Sequence, residues 1–88
     1  MFRRRHMRYQ IEFLPSALEQ VRALPADARR LIGRKIDCAQ DDLAGDIKKL
    51  KGFKRKYRLR AGNYRVLFEL EGNCLVVYDV GDRKDIYE

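Results

Sequence analysis

Eighty-eight residues make one domain with a single two-layer core and leave no room for a second. With 45% hydrophobic residues and nine Phe and Tyr, the chain can bury a core despite 38% charged residues, which excludes a disordered polyelectrolyte. A net charge of +7 predicts salt-sensitive attraction to nucleic acid or to an acidic protein partner.

The chain opens on Met1-Phe2-Arg3-Arg4-Arg5-His6, a basic stretch with no apolar segment behind it. No run approaches the roughly 18 apolar residues of a membrane span, so a cytoplasmic protein is expected. We read residues 1–6 as an extension and residues 7–88 as the domain; without the three leader arginines the net charge falls from +7 to +4.

Tyr9, Ile11 and Phe13 alternate with Arg8, Gln10 and Glu12, the period of a half-buried strand. Ser16-Ala17-Leu18-Glu19 fits a capping box, and Leu18, Val21 and Leu24 recur at helical spacing until Pro25 interrupts. Beyond Pro25, Ala28, Leu31 with Ile32, Ile36, Ala39 and Leu43 form one apolar stripe, which Gly45 is expected to close. Two helices in a hairpin follow from this pattern. Asp37, Asp41, Asp42 and Asp46 crowd the end of the second helix, where negative charge opposes the helix dipole. We read them as a solvated end partly neutralised by Lys48 and Lys49.

The C-terminal half changes period. Lys56 to Arg60, Asn63 to Leu70 and Cys74 to Val80 read as strands separated by Ala61-Gly62-Asn63 and Glu71-Gly72-Asn73, both suited to tight hairpins. The expected fold is α+β: a strand, a two-helix hairpin and a three-stranded antiparallel meander. Cys38 and Cys74 lack metal-ligand spacing and read as reduced core thiols, and no metal or cofactor is expected.

Nine basic residues fall between Lys48 and Arg65, and no acidic residue lies between Asp46 and Glu69. Lys56-Tyr57-Arg58-Leu59-Arg60 alternates charged with apolar, which in a strand lines three cations along one face about 6–7 Å apart, close to phosphate spacing in an extended nucleic acid. Arg65 has the parity to join them. Lys48, Lys49, Lys51, Lys54, Arg55 and Arg60 read as general phosphate contacts.

No Ser-His triad is available, because His6 is the sole histidine and lies in the leader, and no Gly-rich phosphate loop exists. Phosphoryl transfer, however, is mostly positioning and charge neutralisation. RNA supplies its own 2′-hydroxyl nucleophile, so a metal-free ribonuclease can be assembled from Lys56, Arg58, Arg65, Arg83 and Tyr87. On these residues alone passive nucleic-acid binding is the favoured reading and catalysis the alternative.

The element order, together with Leu50-Lys51-Gly52, Tyr57-Arg58-Leu59-Arg60-Ala61-Gly62-Asn63-Tyr64-Arg65-Val66, Val80-Gly81-Asp82-Arg83 and Ile86-Tyr87, resembles the RelE/ParE superfamily of bacterial and archaeal toxins. The resemblance runs from Met7 to Glu88. It implies a type II toxin–antitoxin toxin, and in the RelE branch a metal-independent, ribosome-dependent endoribonuclease that cuts mRNA to a 2′,3′-cyclic phosphate. By position, Lys56 and Arg58 match the basic pair of the active strand, and Lys51 a further basic contact. Arg65 matches the arginine that stabilises the phosphate, Arg83 the arginine near the leaving group, and Tyr87 the tyrosine that stacks on a base.

Implied partners are a RelB-like antitoxin, mRNA and the ribosome with its 16S rRNA, and operator DNA for the toxin–antitoxin hetero-oligomer. RelE-like enzymes commonly have lysine where this chain has Arg58, and an arginine, with a pKa above about 12, is a poor general base. The proton then falls to Lys56 or Tyr87. The alternatives are a ParE-like inhibitor of DNA gyrase and an inactive homologue that only binds an antitoxin.

Overall fold

The computed structural model describes residues 8–86; the leader and Tyr87 lie outside the described residues. Strand β1 (Gln10–Phe13) leads into helices α1 (Pro15–Arg22) and α2 (Ala26–Gln40), followed by β2 (Ile47–Lys49), β3 (Lys56–Ala61), β4 (Tyr64–Glu71) and β5 (Cys74–Asp82). The strands form one five-stranded sheet in the order β1-β5-β4-β3-β2. β2 to β5 pair antiparallel, whereas β1 lies parallel to β5 with Ile11 against Leu75.

The α+β architecture and the helix hairpin agree with the sequence, and three details differ. First, the sheet gains β2 as an edge strand, made by pairing Ile47 with Leu59, Lys48 with Arg58 and Lys49 with Tyr57. Its lysines suit an edge, where exposed charge opposes pairing with another chain.

Second, α1 starts at Pro15 and no side chain caps it, so Ser16 is inside the helix and the expected capping box does not form. Proline favours this first helical position because its φ is preset and it lacks the N–H that goes unbonded there.

Third, α2 ends at Gln40, before the expected Gly45. The chain entering β1 takes over the helix end: the Tyr9 N–H donates to the Gln40 carbonyl at 2.9 Å, and Arg8 pairs with Asp41 at 2.6 Å. A cation is thereby placed at the negative end of the helix dipole. Asp42 and Leu43 then turn through left-handed backbone (φ 54° and 57°), and Leu43 still packs against the core.

The helices cover one face of the sheet. Leu59 and Ala61 of β3, Val66 and Phe68 of β4, and Leu75, Val77 and Val80 of β5 meet Ala17 of α1 and Ile32, Ile36 and Ala39 of α2 in one buried cluster. Tyr57 stacks on its cross-strand partner Phe68 with ring centroids 5.4 Å apart, an arrangement that adds to the area the two rings bury.

The hairpin turns place Gly62 and Gly72 at φ 60° and 61°, the first central position that a II′ turn reserves for glycine. At Gly62 a Cβ would also meet Leu31 Cδ2 at 3.0 Å.

A bulge interrupts β4–β5: Leu67 pairs with Asp79 but Phe68 with Val77, leaving Tyr78 as the extra residue. The Val80 N–H beyond the bulge donates to Gln20 Oε1 of α1 at 2.8 Å, and Gln20 Nε2 donates to Asp79 Oδ1 at 2.8 Å. One side chain thus satisfies the irregular stretch.

Both cysteines are free, but Cys38 is exposed rather than part of the core. Cys74 is half-buried, and its thiol donates to Glu12 Oε2 at 3.0 Å. That bond first, then burial and the charges of Glu12 and Glu71, push the thiol pKa up to about 11. No helix among the described residues is long and apolar enough to cross a membrane.

Candidate nucleic-acid interface

Residues paired across strands point to the same side of a sheet, so register decides which cations share a face. β3 pairs Lys56 with Glu69, Arg58 with Leu67 and Arg60 with Arg65, while Tyr57, Leu59 and Ala61 belong to the helix-covered side. Lys56, Arg58, Arg60 and Arg65 therefore stand together on the face away from the helices. Lys48 joins them through its pairing with Arg58, whereas Lys49, opposite Tyr57, has the other parity.

The members of this row differ in environment. Arg58 is only 7% exposed, flanked by β2 and β4, and forms a charged floor. Arg60 is exposed and pairs with Asp46 at 3.7 Å, while the Arg65 Nη1 donates to the Tyr64 carbonyl at 3.3 Å. Arg60 and Arg65 lie directly opposite one another, a like-charge cross-strand pair that an unliganded sheet disfavours and a bound anion relieves.

Arg83 reaches the same end of the sheet by another route. Its backbone N–H donates to the Asn63 carbonyl at 2.8 Å, tying the segment after β5 to the β3–β4 turn. Asp82 closes that segment, accepting from the N–H groups of Lys84 at 3.0 Å and Asp85 at 2.8 Å.

At the opposite end, the Lys56 ammonium lies 4.7 Å from the centroid of Phe53 and 5.1 Å from that of Tyr78. Both contacts are attractive only while Lys56 carries its charge. Burial, followed by the charges of Asp79 and Glu69, raises the Tyr78 hydroxyl above its ordinary pKa, so it remains protonated at neutral pH.

Lys51, Lys54 and Arg55 are exposed on the β2–β3 connection, and Lys48, Lys49, Leu50 and Lys51 line a cleft of about 270 Å³. Among the described residues no group of three or more His, Cys, Asp or Glu side chains is arranged to hold a metal.

Phe53 and Tyr78 were not singled out as site residues from the sequence. The signal for Tyr78 was available in the break of period two between Val77 and Val80, both of which are core residues.

A family profile described as "ParE toxin of type II toxin-antitoxin system, parDE" matches residues 11–87. The chain is also 33% identical to Toxin RelE3 of Methanocaldococcus jannaschii over 84 residues, 90% of this chain and 96% of that relative. The chain belongs to the RelE/ParE toxin family.

Its fold agrees with that assignment. The toxin is similar to the RelB–RelE antitoxin–toxin complex from Methanococcus jannaschii, with a TM-score of 0.73 and 32% identity over 86% of this chain and 94% of that one. The isolated E. coli RelE toxin shares the fold at a TM-score of 0.70 and 24% identity, over 84% of this chain and 83% of that one.

Proposed function

We propose that this toxin is a ribosome-dependent endoribonuclease that cuts mRNA without a metal, acting in the cytoplasm. The observation that supports this reading most is the convergence of Arg60, Arg65 and the Arg83 segment at one end of the basic sheet face. Such a cluster can neutralise the charge that builds on a phosphate under attack.

In this reading the RNA 2′-oxygen attacks the adjacent phosphorus, the bond to the 5′-oxygen breaks, and the products end in a 2′,3′-cyclic phosphate and a 5′-hydroxyl. Arg65 stabilises the phosphate oxygens and Arg83 the departing oxygen, while Arg58 maintains positive potential beneath them. Lys56 is the leading acceptor of the 2′-hydroxyl proton; lying four residues along β3 from Arg60, it must leave its two ring contacts as a neutral amine and reach along the strand toward the arginines to act so. Tyr87 stacks on a base or takes the proton in its place. Lys48, Lys49, Lys51, Lys54, Arg55 and Arg60 hold flanking phosphates and set the salt dependence of binding.

The M. jannaschii relative is seen with RelB, and we infer a RelB-like antitoxin here. An acidic amphipathic helix laid over the basic face would neutralise it, and the resulting hetero-oligomer would bind operator DNA. A second reading, inhibition of DNA gyrase without RNA cleavage, is favoured by the ParE description of the matched family. Inducing the toxin and following message integrity beside plasmid supercoiling separates the two. Broken messages with normal supercoiling support the first reading, and intact messages with altered supercoiling the second.

A further inference from the structure

We propose that Phe53 is a base-stacking platform, so that a nucleotide at the Lys56 end of the basic row is held by its base as well as by its charge. The proposal deepens the RNA reading above and rests on it. Three large apolar side chains among the described residues are exposed, Leu14, Leu18 and Phe53, and Phe53 is the aromatic one, at 48%. It stands in Lys51-Gly52-Phe53-Lys54-Arg55-Lys56, where four of its neighbours are cations.

A phenylalanine serving only the fold gains stability by leaving water. This one keeps about half its surface in water among charges that attract a polyanion. Cations that track a backbone, with a π face between them for an unpaired base, are the combination that single-strand binding uses.

The ring is also joined to the proposed chemistry. Lys56 Nζ lies 4.7 Å from its centroid, and Lys56 belongs to the same row as Arg58 and Arg60. A base on the ring is therefore one lysine away from the phosphate-binding row. Phenylalanine has no hydrogen-bonding group, so the platform holds any base and favours purines for their larger face.

The 88-residue chain has no tryptophan, so the indole introduced by Phe53→Trp is a reporter without background. Wild type, Phe53→Leu and Phe53→Trp are titrated with a short, mixed-sequence, single-stranded oligoribonucleotide, 2′-O-methylated to prevent cleavage, by anisotropy and by indole fluorescence. Phe53→Leu is expected to weaken binding about 5- to 100-fold without changing the slope of log K against log salt, because it removes a stack and no charge. The indole is expected to be quenched on saturation, at an affinity equal to wild type or higher.

Wild-type affinity in Phe53→Leu, an unquenched indole at saturation, or no RNA binding by wild type would each overturn the proposal. So would a Phe53→Leu variant that loses affinity for its antitoxin but keeps RNA binding, which would make the ring a protein contact. Failure of the cleavage reading is recognised separately, as messages left intact during growth arrest while these binding results stand.

Discussion

Arg60 and Arg65 face each other across β3 and β4 as direct partners on the side of the sheet away from the helices. Like charges directly opposite one another are unfavourable in a sheet, and the Arg60–Asp46 pair, exposed at both ends, is a weak one. The arrangement makes sense as an anion site whose cost is relieved by the ligand.

Sulfate should therefore raise the melting temperature of the purified toxin more than sodium chloride does at equal ionic strength. In Arg60→Thr the excess should disappear, because one of the two opposed cations is gone. Thermal scans in both salts read the difference directly, and an excess of equal size in the variant would argue against a shared anion site.

Lys56 can act as proton acceptor only by shedding its charge, whereas arginine does not do so in the working pH range. Lys56→Arg should lower the cleavage rate by about 10²–10⁴-fold, the usual contribution of a general base, while retaining RNA affinity. Single-turnover kinetics beside equilibrium binding separate these effects. An arginine variant that cuts at the wild-type rate would reduce Lys56 to an electrostatic role.

The Cys74 thiol, with its pKa pushed up to about 11 by the bond to Glu12, should resist alkylation at pH 8, while the exposed Cys38 is modified first. Glu12→Ala removes both the hydrogen-bond acceptor and its charge and should speed labelling of Cys74, as peptide mass spectrometry can follow. A folded-state pKa raised above the ordinary thiol value of 9.0 means the contribution to stability is complete below about pH 9 and is lost as pH rises toward 11.

Gln20→Ala should lower stability by about 1–2 kcal/mol, read as a lower urea midpoint with an unchanged slope. It strips the partner from the Val80 N–H and from Asp79 Oδ1, both at 2.8 Å. This is a large effect for an exposed glutamine, and it follows from the bulge at Tyr78 that the side chain serves.

That bulge marks where sequence reading stopped. The alternation of Tyr9, Ile11 and Phe13, the helical stripe from Ala28 to Ala39 and the two glycine turns each express one local periodicity, so β1, the helix hairpin and the meander were legible. Strand β2 was not: Ile47-Lys48-Lys49 is short and reads as a charge run, and it is a strand only because β3 lies beside it. The end of α2 was likewise decided by a distant segment, Arg8 and Tyr9, and not by Gly45.

In the site, the parity of Lys56, Arg58, Arg60 and Arg65 was readable because strand alternation alone sets it. The burial of Arg58 depends on β2, and the rings around Lys56 come from a loop and a bulge; none of these has a period. Tyr87, carried over from the family resemblance, lies outside the described residues.

In the proposed reaction this basic sheet face cuts RNA by neutralising charge around the phosphate. Programmed ribosomes, purified toxin and an end-labelled message test it most directly, with wild type and Arg65→Ala compared and the product ends analysed chemically. Wild type should cut in the decoding site and leave ends carrying a 2′,3′-cyclic phosphate, and a folded Arg65→Ala variant should lose cutting by at least about 10²-fold. An intact message with wild type, or unimpaired cutting by Arg65→Ala, would contradict it.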